Sequence, residues 1–239
     1  YGTVTGVQTC ALPIFTDTAN ISGSWDAATG TMTLTGSDTL ANYQTALRAV
    51  TYENTSENPN TTARTVSFTV NDGDVDSNTV ARNITVGAVN DASALAAIEG
   101  AALAYTENDG AVAITGTVTV ADVDDTNIES AVVQITANYQ NGQDVLAFTD
   151  TANISGSWDA ATGTMTLTGS DTLANYQTAL RAVTYENTSE NPNTTARTVS
   201  FTVNDGDVDS NTVARSITVG AVNDASALAA IEGAALDRK

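Results

Sequence analysis

The 239-residue chain contains no histidine and a single cysteine, Cys10, and its only lysine is the last residue, Lys239. Without His, Cys or Lys in the body of the chain there is no imidazole base, no thiolate nucleophile, no Schiff-base amine and no ordinary zinc or haem ligand set. Chemistry is left to carboxylates, hydroxyls and amides, and the chain is read as a non-enzyme. Basic charge is also scarce: 8 Lys plus Arg stand against 28 Asp plus Glu, for a formal net charge of -20. Nucleic acids and anionic membranes are held by Lys and Arg neutralising phosphates, so neither is an expected partner, whereas hard cations are. No run approaches the roughly 18 apolar residues of a membrane span. The lack of cysteine says little about compartment, because many secreted proteins avoid thiols. A composition rich in Thr, Asn, Asp, Gly and Ala with almost no Lys points to an extracellular or cell-surface location.

Both ends look foreign to the rest. VTGVQTCALPI, from Val4 to Ile14, resembles the translation of a short-read sequencing adapter, and Asp237-Arg238-Lys239 resembles the start of the opposite adapter. Residues 1–14 and 237–239 are therefore expected to stand outside the native fold, and the first stretch lacks the basic n-region of a signal peptide. Phe15 to Leu236 then holds six Arg and 27 acids, a charge of 6 minus 27, or -21.

Phe15–Leu103 and Phe148–Leu236 match at 88 of 89 positions with an offset of 133 residues, the one difference being Asn83 against Ser216. A repeat of this length is a tandem array of whole domains, since solenoid units of about 20 to 50 residues cannot bury a core alone. Recent duplication and the joining of fragments of a longer array both produce such identity, so the copy number stays open.

Within a unit, apolar residues alternate: Met32 and Leu34; Val66, Phe68 and Val70; Val112 and Ile114; Val118 and Val120; Val133 and Ile135. Period two means half-buried strands, and Gly/Asn/Asp clusters between short β-branched runs mean turns, so the fold class is an all-β sandwich. Asn83, of odd parity beside Ile84, is expected to face solvent. One or two helical turns are expected at Thr39 to Arg48, capped by Asp38, with Leu40, Tyr43 and Leu47 on the buried face, and likewise at Thr172 to Arg181. Trp25 and Trp158 are read as core, with a carbohydrate platform around Trp158 and Tyr176 as the alternative.

Carboxylates and amides gather in three loops: AVNDA (Asn90, Asp91), ADVDDTN (Asp122, Asp124, Asp125, Asn127), with Glu107 shortly before it, and NDGDVDSN (Asp205, Asp207, Asp209). Asp at alternate positions lets a tight loop turn several oxygens inward, which suits Ca²⁺ and its six to eight oxygens at about 2.3 to 2.6 Å. The loop is no EF-hand, because Ser210 replaces the turn Gly, Ser216 stands in place of the bidentate Glu, and strands flank it. Solvated turns of an acidic protein are the competing reading.

In this order the motifs resemble a cadherin-like repeat of large bacterial surface adhesins. TEN at Glu107 looks like that family's glutamate, ADVDDTN its Asp-x-Asp followed by Asn, FTVNDGD its strand leading to Asp-x-Gly, and AVNDA its interdomain linker. The resemblance implies a Greek-key, immunoglobulin-like sandwich. It also implies Ca²⁺ at each junction, held by Asn90, Asp91, Asp122, Asp124, Asp205 and Asn127, with Glu107 leaning toward a neighbouring ion. Departures are plain: the helical SDTLANYQTALR segment replaces the family's Leu-Asp-Arg-Glu element, and the linker lacks its proline. One ion per junction is therefore expected. The domains so implied are 15–90, the C-terminal part of one repeat; 91–223, a complete repeat; and 224–236, the start of the next. Residues 91–147 are expected to pair with the contiguous downstream copy, since that connection is local. The implied function is a calcium-binding, rigidifying module of an extracellular adhesion protein, whose partners are neighbouring repeats and a cell-surface protein or glycan. The alternative is a calcium-independent carbohydrate- or ligand-binding sandwich.

Overall fold

The computed structural model describes residues 2–5 and 11–226; the tail motif at Asp237 to Lys239 and the stretch 227–236 lie outside the described residues. The chain forms two compact units, Tyr1–Asn90 and Asp91–Lys239. Unit 1 contains β1 (Gly2–Thr5), β2 (Ala11–Ile14), β3 (Ser22–Asp26), β4 (Thr31–Thr35), α1 (Leu40–Ala49), β5 (Thr51–Asn54), β6 (Arg64–Val70) and β7 (Val80–Ile84). One sheet runs β3-β4-β1-β6-β7 and β2 pairs with β5.

Unit 2 contains β8 (Ala94–Ala96), β9 (Leu103–Thr106), β10 (Val112–Ala113), β11 (Thr119–Ala121), β12 (Asn127–Ala137), β13 (Asp144–Ala147), β14 (Ser155–Asp159), β15 (Thr164–Thr172), α2 (Leu173–Ala182), β16 (Thr184–Asn187), β17 (Arg197–Asn204) and β18 (Val213–Gly220). Its large sheet runs β14-β15-β12-β17-β18-β9, with a three-stranded sheet β10-β16-β13 and a pair β11-β8. The fold class is an all-β sandwich. β18 and β9 pair in parallel, and the other strand pairs of unit 2 are antiparallel.

Alternation sets the core. Along β17, Val199, Phe201 and Val203 turn inward at 0–1% exposure, while the intervening residues are half-buried. Met165 and Leu167 on β15 and Val133 and Ile135 on β12 meet them in one cluster. Fully burying side chains of this kind contributes about 1.5 to 3 kcal/mol each. Asn83 and Ser216 are both exposed, so the single difference between the copies falls where packing does not constrain it.

The helix is ten residues long and starts one residue after the expected span, and Thr39 and Thr172 cap it rather than the preceding Asp. Thr172 Oγ1 accepts from the Asn175 amide at 3.3 Å, whereas Asp171 braces the cap by accepting from the Thr172 amide and the Asn175 side chain. Thr172 holds the N-cap position with extended backbone, and from there its hydroxyl reaches the orphan N–H of the third helical residue. Tyr176, Ala179 and Leu180 form the buried face, and Leu40, expected in the core, is 90% exposed.

β12 lies between β15 and β17 of the downstream copy. In unit 1 the same place is taken by β1: Val4 faces Met32 and Phe68, as Val133 faces Met165 and Phe201. The adapter-like stretch thus contributes strands to unit 1. Backbone N–H and C=O groups on the facing edges of β4 and β6 need partners, and a short β-branched Thr-Val-Thr run supplies them.

What β1 and β2 do not reproduce is a buried polar knot. In unit 2, Arg197 Nε lies 3.1 Å from Asp144 Oδ2, both side chains being fully buried. Asp144 Oδ1 also accepts from the Tyr185 hydroxyl at 2.6 Å and from Asn187 Nδ2 at 2.7 Å. Burial, then the hydrogen bond to Asp144, raises the Tyr185 pKa, so the phenol stays a donor. In unit 1, Ala11 stands opposite Asn54 where Asp144 stands opposite Asn187. There the twins Arg64 and Tyr52 keep a buried Nε and hydroxyl without a partner. Removing one member of a buried ion pair costs about 3 to 5 kcal/mol. Asp144→Ala is therefore expected to destabilise unit 2 by that amount, measured by urea unfolding of the full chain followed at Trp158 in a Trp25→Phe background. A loss below about 1 kcal/mol, the range of an ordinary hydrogen bond, would contradict this role.

Candidate cation sites

The β11–β12 loop is folded by its own first carboxylate. Asp122 Oδ1 accepts from the amides of Asp124 at 3.0 Å and Asp125 at 2.9 Å, and Asp122 Oδ2 accepts from the Ser93 hydroxyl at 2.6 Å. This turn gathers Asp122, Asp124 and Asp125 so that one carboxylate oxygen of each lies within 4.8 Å of the others. Oxygens sharing one Ca²⁺ at about 2.3 to 2.6 Å stand up to about 5 Å apart, so the spacing suits a single ion. The Asp91 amide donates to Asp124 Oδ2 at 3.2 Å, fastening the linker to the same loop.

Electrostatics at this end are strained. Burial opposes ionisation of Asp122, but hydrogen bonds from Ser93, Asp125 and Asp124 outweigh it and lower its pKa. Asp124 is shifted up by desolvation and by Asp122 and Asp91, against the Asp91 amide. Asp125 is shifted up by desolvation and then by the charges of Asp122, Asp124, Asp205 and Glu129.

The expected ligands divide. Asp122 and Asp124 are brought together, with Asp91 attached through its backbone and Asp205 close enough to perturb Asp125. Asn90 is the last residue of unit 1. Asn127 opens β12, and its amide donates to Ser170 at 3.2 Å, toward β15 rather than into the Asp group. Of the alternate aspartates only Asp205 turns in, at 7% exposure; Asp207 and Asp209 are exposed. Asp205 Oδ1 caps the amides of Asp207 and Val208, and Asp209 is turned back to Asn204. Asp125, named in the loop but not among the implied ligands, joins the site, as do Ser93 and Glu129, which the motifs did not single out.

Glu107 belongs to the other end of unit 2. The Leu95 amide donates to Asn211 just before β18 begins, whereas the Glu107 amide donates to Gly220, where β18 ends. An eight-residue strand spans about 26 Å. At this far end Glu107, Glu190 and Asp224 each offer an oxygen within 4.8 Å of the others. Glu107 is 3% exposed; its Oε2 accepts from the Val222 amide at 2.7 Å, and its Oε1 is buried without a partner. An unsatisfied buried carboxylate oxygen is costly. Asp224 is the repeat twin of Asp91, since 224 minus 91 is the 133-residue offset.

The arginines among the described residues of unit 2 are engaged inside the sandwich. Arg181 donates to the carbonyls of Val118 and Thr117, and Arg197 pairs with Asp144. Arg215 donates to the carbonyls of Ala101 and Ile114 and lies 3.5 Å from Glu99. Burial works against Glu99 ionisation, yet hydrogen bonds from Thr115 and Gly116 draw its pKa down to about 2. Tyr176, the aromatic expected beside Trp158 on a glycan platform, is 0% exposed and donates to Gly169. It is core.

No helix among the described residues is long and apolar enough to cross a membrane. No family model and no curated protein matches the chain. Among solved structures it is similar to the C-terminal domain of the Streptococcus pyogenes antigen I/II-family protein AspA, at 12% identity and a TM-score of 0.29 over 91% of this chain and 84% of that one. A second likeness is to the Streptococcus agalactiae AgI/II polypeptide BspA C-terminal domain, at 12% identity and a TM-score of 0.25 over 91% and 84%.

The pKa directions fix a pH test without cation. Asp124 and Asp125, raised in the folded state, add stability that is present below the ordinary aspartate range and lost as pH rises through their raised values. Asp122, lowered, adds stability that is lost as pH falls through its depressed value. Asp125→Asn is therefore expected to raise the thermal midpoint in EDTA at neutral pH and to leave it unchanged below about pH 3.5, where the native carboxyl is itself protonated. A lower midpoint at neutral pH would contradict repulsion in this loop.

Proposed function

We propose that this chain is a non-enzymatic, calcium-binding repeat module of an extracellular adhesion protein, stiffened by cations held where one repeat meets the next. The observation that carries the reading is the placement of the linker aspartate in two settings. As Asp91 it is tied to Asp124, at the leading end of the domain that follows. As Asp224 it lies with Glu107 and Glu190, at the trailing end of the domain that precedes. Because Asp91 and Asp224 are the same position of the repeat, each Asn-Asp linker of an array has carboxylates on both sides. Oxygen-only donors, clustered carboxylates and the absence of His and Cys from Phe15 to Leu236 suit Ca²⁺ rather than a transition metal. Mg²⁺ fits poorly, since it demands a compact octahedron at about 2.0 to 2.1 Å and gives up its waters reluctantly. Acidic, lysine-poor composition and tandem repetition support a cell-surface location, with neighbouring repeats as the first partners and a cell-surface protein or glycan as the outer one.

Holding a linker to both flanking domains removes their relative freedom, which is a mechanical role. Affinities of extracellular modules lie near 10⁻⁴ to 10⁻³ M, so millimolar Ca²⁺ occupies such sites. At ten times Kd one site stabilises by about 1.4 kcal/mol. Thermal unfolding of the full chain in EDTA, Ca²⁺ and Mg²⁺ tests this. The midpoint is expected to rise with Ca²⁺ and not with equal Mg²⁺, and Asp122→Ala with Asp124→Ala removes part of the rise. Equal midpoints in EDTA and Ca²⁺ would make these loops solvated turns and overturn the reading.

A further inference from the structure

Asparagine followed by glycine occurs once in the chain, at Asn141-Gly142. The pair lies in the turn that carries β12 into β13, within the part of the repeat that has no second copy here. Both residues are exposed. Gly142 has φ +84°, a left-handed conformation that glycine adopts without steric cost. Among the described residues, none bonds to the Asn141 side chain or accepts the Gly142 N–H. The glycines after Asp72 and Asp205 are held differently, for the Gly73 and Gly206 amides are donated to Asn71 and Asn204.

We propose that Asn141 is a site of spontaneous deamidation, and that the isoaspartate it yields loosens the turn holding Asp144 against Arg197. The Gly142 nitrogen gives its proton to hydroxide and attacks Asn141 Cγ, closing a succinimide ring through the new C–N bond. The Cγ–Nδ2 bond breaks, its electron pair stays on nitrogen, and the nitrogen takes up a proton and departs as ammonia. Water then opens the ring. Cleavage of the Cγ–N bond leaves aspartate at 141. Cleavage at the main-chain carbonyl carbon leaves isoaspartate, with the main chain rerouted through Cβ and Cγ. The net change consumes water and releases ammonia, and either product adds a carboxylate to a chain whose formal charge is already -20.

Isoaspartate matters because of what this turn closes. The Gln140 carbonyl accepts from the amides of Gln143 at 3.0 Å and Asp144 at 2.9 Å, and the Gln140 amide donates to Asp144 Oδ2 at 2.8 Å. That oxygen is the one 3.1 Å from Arg197 Nε. The Gln143 carbonyl in turn accepts from the Thr188 amide at 2.8 Å. An added main-chain carbon between Gln140 and Asp144 falls inside this ring of bonds and moves the Asp144 carboxylate. A buried ion pair offsets its desolvation only when its geometry is good. Aspartate at 141 leaves the ring unchanged and adds only an exposed charge, a substitution of little consequence for folding.

Ageing of the full chain in mild alkali, with EDTA to keep the cation sites out of the outcome, tests this by peptide mapping in a mass spectrometer. Asn141 is expected to convert at least about tenfold faster than any other asparagine, since only its neighbour lacks a Cβ. The rate should follow hydroxide concentration, and isoaspartyl methyltransferase should label the product. Anion exchange separates converted chains by their added charge. Unfolding of that fraction, followed at Trp158 in a Trp25→Phe background, should show a lower-melting component in proportion to its isoaspartate content. Asn141→Asp should keep the midpoint of the fresh chain, and Asn141→Ser should neither release ammonia at this position nor shift the midpoint. Conversion at Asn141 no faster than elsewhere would mean that the turn shields it and would overturn the site. A midpoint shared by the isoaspartate form and the fresh chain would overturn its link to Asp144.

Discussion

A shortage of positive charge governs this molecule. The stretch from Phe15 to Leu236 has six arginines for 27 carboxylates, and each of the three arginines among the described residues of unit 2 is committed within the sandwich. Arg197 neutralises Asp144 in the core, and Arg181 and Arg215 clamp carbonyls of the leading segment. These bonds join β9–β11 and β13 to the rest and close the domain. The same commitments keep the arginines away from the ends, where aspartates and glutamates gather. Raised pKa values at Asp124 and Asp125 are the local expression of that imbalance, and the buried, unpartnered Glu107 Oε1 expresses it at the far end. A divalent cation at either group of carboxylates would supply the missing charge with the right chemistry.

The two copies show how far identical residues depend on what lies against them. Tyr185 is fully buried and hydrogen-bonded to Asp144, whereas Tyr52 has a buried hydroxyl with no partner. Leu180 is buried, and Leu47 lines an open groove. Nothing in the repeated sequence differs at these places. The difference lies in β12, β13 and the leading segment, which the repeat does not itself contain. Strand geometry alone is satisfied by Gly2–Thr5 and Ala11–Ile14, but the buried knot and the apolar cover are not.

Period-two patterning made the strands and their inward residues legible, because β-strand alternation is a local property that burial on one face enforces. The linker position and the Asp-x-Asp loop were legible too, since Asp122 folds its own turn through neighbouring amides. Cap choice at Thr39 was not, because Asp38 and Thr39 are both good caps and only backbone geometry decides between them. Nor was the separation of Glu107 from Asp122. The two lie 15 positions apart in sequence, but β9 and β11 deliver them to opposite ends of the domain. Glu190 carries no motif at all; its proximity to Glu107 and Asp224 comes from the β16–β17 connection. Asp207 and Asp209 mislead in the other direction, for alternate spacing does not make carboxylates converge once Asp205 takes the available amides.

Calcium stoichiometry tests the central claim most directly. Equilibrium dialysis of the full chain against ⁴⁵Ca²⁺ is expected to count two ions per chain, one at Asp122, Asp124 and Asp125 and one at Glu107, Glu190 and Asp224. Asp122→Ala with Asp124→Ala should leave one, and Glu107→Gln with Glu190→Gln should leave the other. No bound ion at millimolar Ca²⁺, or a count that neither pair of substitutions lowers, would contradict the account.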